Sequence, residues 1–240
     1  MTSPGPEGPA QRATKWLDEV YGGLVELAAA RPVAETDTAW MMACHTVAQP
    51  GFPRTPMLAA SVVVPKIGGY PHHPASYDPL ADLLSVPPQE SALRITGQSR
   101  RINARGAVAA THSAIDGHPS VAVPWQPAHE APGWWARLCR RYFPQFDRVP
   151  VQDWDQVVRA VQEPGPGTRG VVWIRRAIGG HDVTGHLIYA HNDRGRVIFL
   201  DGLTASLARL DTQWVREVIL MRALPDASRT ADEDRVHPRH

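Results

Sequence analysis

Residues 185–201, GHLIYAHNDRGRVIFLD, decide how this chain is read. Two β-branched and aromatic runs flank Asn192-Asp193-Arg194-Gly195, residues suited to a tight hairpin turn. With Asp193 and Arg194 as a two-residue loop, His191 pairs with Arg196 and Ala190 with Val197, and His186 comes to lie opposite Asp201. With a three-residue loop and Gly195 as a bulge, the register slips by one and His186 faces Gly202. Cross-strand neighbours have Cβ atoms about 4.5–5.5 Å apart, so the first register joins an imidazole to a carboxylate. A carboxylate that orients a histidine is half of a catalytic apparatus.

Working outward, composition bounds the rest. A chain of 240 residues with a 43% hydrophobic share can bury a real core, as one large unit or two small ones. Twenty-five basic and 24 acidic side chains leave a net charge of +1. That balance gives no electrostatic case for a nucleic-acid partner or an acidic membrane surface. The two cysteines, Cys44 and Cys139, suit a reducing compartment better than a disulfide scaffold. The opening MTSPGPEGPAQR lacks a charged-then-apolar signal, and no run approaches the roughly 18 apolar residues of a membrane span. The expected compartment is the cytoplasm, with export by a route that needs no such signal left open.

Residues 1–12 are Pro/Gly-rich and read as disordered. Trp16, Val20, Leu24 and Leu27 recur at helical spacing, which predicts a helix over 13–30. Strand-like runs follow at 38–47 and 57–64, then a loop over 66–79. His72 and His73 in that loop point apart and lack a Cys or carboxylate at ligand spacing, so no metal or other cofactor is expected. Pro and polar residues at 85–92 read as a linker. The expected organisation is a small α+β unit over 13–88, a helix against an antiparallel sheet, then a second unit over 91–224 and a flexible tail over 225–240.

In the second unit, Asn103 suits the N-cap of a helix over 104–115, with Gly117 as its stop. Asp153 suits the cap of a helix over 154–161, and a further helix is expected over 133–142. Arg100, Arg101 and Arg105 gather at the first of these helix starts, either as an anion site or as a solvated basic rim. Cys139 lies beside Arg140 and Arg141, which would lower a thiol pKa. Its Trp-rich helix reads as buried packing instead. Trp125, Trp134 and Trp135 read as core and rim, and His112, His118, His181 and His191 as surface or loop.

Three segments of the second unit resemble the papain-like toxin family (Tox-PL, toxin glutamine deamidase) over about residues 94–215. They are RRINARGAVAATHSAIDGHPSVAVP at 100–124, DWDQVVRAVQEPGPGTRGVVW at 153–173 and GHLIYAHNDRGRVIFLDGLTA at 185–205. The resemblance implies an α+β fold, a papain-like domain whose N-terminal helix packs on an antiparallel sheet. It also implies a Cys-His-Asp triad that attacks a side-chain amide. A helix N-terminus stabilises a thiolate, the histidine moves the proton, and the aspartate fixes its tautomer. His186 and Asp201 match the family's His and Asp. Ala104 stands at the nucleophile's position and Ala107 at a second family cysteine. Leu203 stands where the family has Gln, and Ala205 where it has Gly. The first unit faintly resembles YrhB-type (immunity protein 35-like) domains, with Trp40 in its first strand.

A methyl group cannot attack an amide. The leading expectation is therefore a pseudoenzyme that binds a protein or peptide partner in the old cleft, through Asn103, Arg101, Arg105 and Leu203 around the site. Four departures at motif positions favour natural divergence. The alternatives are a deamidase toxin captured in an inactive Cys-to-Ala form, and an immunity or accessory protein working through its N-terminal unit.

Overall fold

The computed structural model describes residues 7–51, 54–85 and 100–225. The expected linker near residue 90 and almost all of the tail lie outside them. Pro9 opens α1 (Pro9–Tyr21), where its missing N–H is no loss. The helix thus begins inside the segment expected to be disordered. It also ends well before residue 30, because Gly22 and Gly23 take φ of 57° and 85°, which L side chains reach only with strain. The chain then forms β1 (Val25–Leu27) and β2 (Ala34–Glu35), both antiparallel to β3 (Ala39–Thr46). β4 (Ser61–Pro65) also pairs with β3, starting later than the expected strand at 57. A short α2 (Ala81–Leu84) follows. Ala13, Trp16 and Leu17 of α1 pack over Met42, Cys44, Val62 and Val64.

The second part contains α3 (Ala104–Ile115), a 3-10 turn (Pro127–Glu130), α4 (Trp134–Tyr142), β5 (Asp147–Val149) and α5 (Trp154–Gln162). Then come β6 (Arg169–Ile178), β7 (His181–Asp193), β8 (Arg196–Asp201), β9 (Ser206–Leu207) and β10 (Val215–Ala223). These strands form one six-stranded sheet in the order β5-β10-β6-β7-β8-β9. Alternation along β7 splits its side chains between two faces. Leu187 and Tyr189 join Val108, Leu138 and Phe143 under α3 and α4. Ile188 and Ala190 join Val157 and Val161 under α5. The fold class is α+β, as expected.

Both anticipated hairpin registers are corrected. Asp193 pairs with Arg196, Asn192 with Val197 and Ala190 with Phe199. The two-residue loop is Arg194-Gly195, with φ of 52° and 90°. A type I′ turn needs positive φ at both central residues, so it forms where glycine can take the second place. The ladder is therefore shifted by two residues from the first register. A shift of two preserves the faces, whereas a shift of one exchanges them. His186 and Asp201 remain on one face as diagonal neighbours.

The two parts share apolar cores. Ala39, Met41 and Val63 cluster with Ile178 and Val183 of the large sheet, and Ile102 and Trp125 join the α1 cluster. Backbone bonds reinforce this: Gly185 N–H donates to the Leu58 carbonyl at 2.7 Å.

Candidate active site

His186 lies on β7 and Asp201 ends β8, and both are buried. His186 Nε2 meets Asp201 Oδ2 at 2.9 Å. A carboxylate accepts, so Nε2 carries the proton and Nδ1 is left as an acceptor. The other Asp201 oxygen accepts from the backbone N–H of Leu203 at 2.9 Å and of Thr204 at 3.4 Å, a local turn that holds the carboxylate still. Burial raises the Asp201 carboxyl pKa, but the hydrogen bonds from His186, Leu203 and Thr204 outweigh it and leave the pKa below its usual value.

The partner of Nδ1 is Ser76, which no sequence pattern singled out. Its hydroxyl lies 3.1 Å from His186 Nδ1. Its N–H donates to the Arg101 carbonyl at 3.0 Å, and Arg176 donates to its carbonyl at 3.2 Å. Ser76 thus stands between the His186 ring and the chain entering α3. Asp82 fixes the same segment, accepting from Ala75 N–H at 2.7 Å and pairing with Arg101. Ser61 adds a bond to the Val183 carbonyl at 2.7 Å.

Ala104 is the first residue of α3 and is fully buried, in the cluster that holds Leu58, Val108 and Leu187. Asn103 caps this helix as expected: its Oδ1 accepts from Gly106 N–H at 3.2 Å, and its Nδ2 donates to Val123 at 2.8 Å. Both ends of that amide are engaged in holding the helix start. Gly202 passes so close beneath α3 that a Cβ would lie 2.7 Å from the Ala107 carbonyl oxygen. That contact sets the Asp201 corner against the helix. Leu203 is half-buried and contributes its backbone N–H.

The three arginines do not form one rim. Arg101 turns to Asp82, while Arg105 is buried over the Trp134 ring, 4.7 Å from its centroid, and 3.8 Å from Glu130. Glu130 is wholly buried and went unnoticed in the sequence, where it lies in a Pro-rich loop. Burial pushes the Cys139 thiol up to about 12, and Cys44 is raised further by burial and then by Glu130. Neither thiol is poised to react. His112 is corrected from surface to core: it is buried, bonds Tyr189 Oη at 2.9 Å and packs on Phe143 and Phe146.

Residues 102–205 match the family model described as "Papain fold toxin 1, glutamine deamidase". That match leaves the N-terminal unit outside it. No curated protein matches the chain. Among solved structures, "Salmonella effector SpvD - G161 variant" matches with a TM-score of 0.36 and 14% identity, over 50% of this chain and 68% of that one. Among the described residues no helix is long and apolar enough to cross a membrane.

Proposed function

We propose that this chain is a catalytically silent relative of the papain-fold glutamine deamidases, working by holding a protein or peptide partner. The family match supports the toxin-like papain fold. The observation that carries the silent reading is how the two halves of the site are filled. The nucleophile's position holds the Ala104 methyl, which has no lone pair, and the base nitrogen of His186 is already bonded to Ser76. A Ser-His-Asp series has the bonding order of a hydrolytic triad. Here all three side chains are buried and the Ser76 backbone is held at both its N–H and its carbonyl, which supports a structural rather than a nucleophilic Ser76.

The partner's place, on this reading, is the mouth beside Ser76. A cavity of about 470 Å³ lies next along the chain, lined by Tyr77, Asp78, Arg176, Arg209, Asp211 and Trp214 among others, and by none of Asn103, Arg101, Arg105 or Leu203, the contacts first expected for a partner. Tyr77 and Trp214 are exposed, and Trp214 takes a strained φ of 61°. The Ser76 contact also favours a second reading, an immunity or accessory protein, because the N-terminal unit supplies the segment that closes the His-Asp pair.

The test is ammonia release from glutamine-bearing proteins by the native chain and by Ala104→Cys. Both stay inert on this account, since Ser76 still holds Nδ1. Ammonia release by the revertant, or labelling of Ser76 by a fluorophosphonate, overturns it.

A further inference from the structure

Beside the start of α3, the 3-10 turn and α4 enclose a cavity of about 230 Å³ lined by Arg105, His129, Arg137, Leu138, Arg141 and Tyr142, among others. One of its cations, Arg105, is placed where the fold alone does not want it. Arg105 is only 8% exposed, and neither of its terminal nitrogens has a hydrogen-bond partner. Buried donors left unpaired are costly. Arg105 is also the second residue of a helix, at the end where the dipole disfavours positive charge. Arg137 and Arg141 are four apart on α4, a spacing at which like charges weaken a helix.

Among the described residues, the carboxylate paired with these guanidiniums is Glu130, 3.8 Å from Arg105. Glu130 is already engaged by Leu58 N–H at 2.9 Å and Trp125 Nε1 at 3.3 Å. Arg137 is oriented by donating to the Pro132 and Ala131 carbonyls at 2.5 and 2.9 Å. Arg141 lies over the Tyr142 ring. Three arginines therefore line one cavity, and among the described residues the carboxylate paired with them is already committed. Besides His129, the remaining side chains of the lining, Leu138, Val123, Ala128, Trp134 and Tyr142, are apolar or aromatic.

We propose that this cavity binds a small organic phosphate, its dianion held by Arg105, Arg137 and Arg141 and its body lying against Leu138 and Tyr142. Guanidinium forks suit phosphate oxygens, and the apolar lining gives the rest of the molecule a surface that inorganic phosphate cannot use. The site is independent of the silent reading of His186, so either can fail alone.

Calorimetric titration of the native chain with phenyl phosphate, inorganic phosphate and phenol tests it. The expected order is phenyl phosphate at least tenfold tighter than inorganic phosphate, with no binding of phenol. Arg137→Gln and Arg141→Gln, both at exposed positions, each weaken phenyl phosphate at least tenfold, while Arg216→Gln leaves it unchanged. Arg105→Lys weakens it too; should that variant not fold, the two exposed ones still decide. No binding of phenyl phosphate, or binding indifferent to Arg137→Gln and Arg141→Gln, overturns the site. Equal affinity for inorganic phosphate overturns the organic body.

Discussion

Acid should loosen the unit that closes the site, through two histidines. His72 and His73 are both wholly buried. His73 donates from Nδ1 to the Ser61 carbonyl at 2.6 Å and accepts at Nε2 from Tyr21 Oη, also at 2.6 Å. His72 bonds the Tyr70 carbonyl at 3.2 Å, and its Nε2 has no partner. Burial drives both rings down to about 4; carbonyl bonds oppose it, and Arg101 adds to it for His72. An unfolded histidine titrates near 6.5. Between about pH 6.5 and 4 the unfolded chain therefore binds more protons, so stability is full above that window and falls as pH drops through it. At about 1.4 kcal/mol per pH unit, each ring removes about 3 kcal/mol across the window, and the pair about 6. A domain holds only about 5–15 kcal/mol. His112, His129 and His191 are lowered in the same direction, so the difference between variants is the test. Urea unfolding of the native chain and His72→Leu should be followed from pH 7 to 4.5. The variant should lose about 1.4 kcal/mol less per pH unit near the acid end. Equal slopes in the two proteins refute the argument.

Two further outcomes follow from close packing and from the closing segment. Gly202→Ala drives a Cβ to 2.3 Å from Thr111 Oγ1 and 2.7 Å from the Ala107 carbonyl oxygen. It should destabilise the chain by about 1–3 kcal/mol, read as a lower midpoint in urea; an unchanged midpoint would show that the Asp201 corner does not need that approach. Asp82→Ala strips a largely buried Arg101 of its partner, a loss on the order of 3–5 kcal/mol. Amide exchange should then speed up at Ser76 and Gly185 before it does in the centre of β6 and β7, and uniform acceleration would contradict the assigned role.

Local chemistry was legible and long-range chemistry was not. Asn103 and Asp153 cap the helices assigned to them, because capping depends on residues three apart. The hairpin was readable as a hairpin, yet its register missed by two, since either dipeptide within Asn192–Gly195 can be written as a turn. Only the backbone decides, and it put Gly195 in the second left-handed position. The His186–Asp201 pair survived that error because an even shift keeps the face. Ser76 and Glu130 carry no periodic or motif signal. Their roles rest on partners 110 and 72 residues away in sequence, at His186 and Leu58. His112 reads as polar until Tyr189 and two phenylalanines close around it.

The protonation state of the His186 ring tests the central claim most directly. Nitrogen-15 spectra of the imidazole should show Nε2 protonated towards Asp201 and Nδ1 accepting a hydrogen bond. Ser76→Ala should shift Nδ1 while leaving Nε2 in place. An Nδ1 signal indifferent to Ser76→Ala would contradict a site closed by the chain's own N-terminal unit.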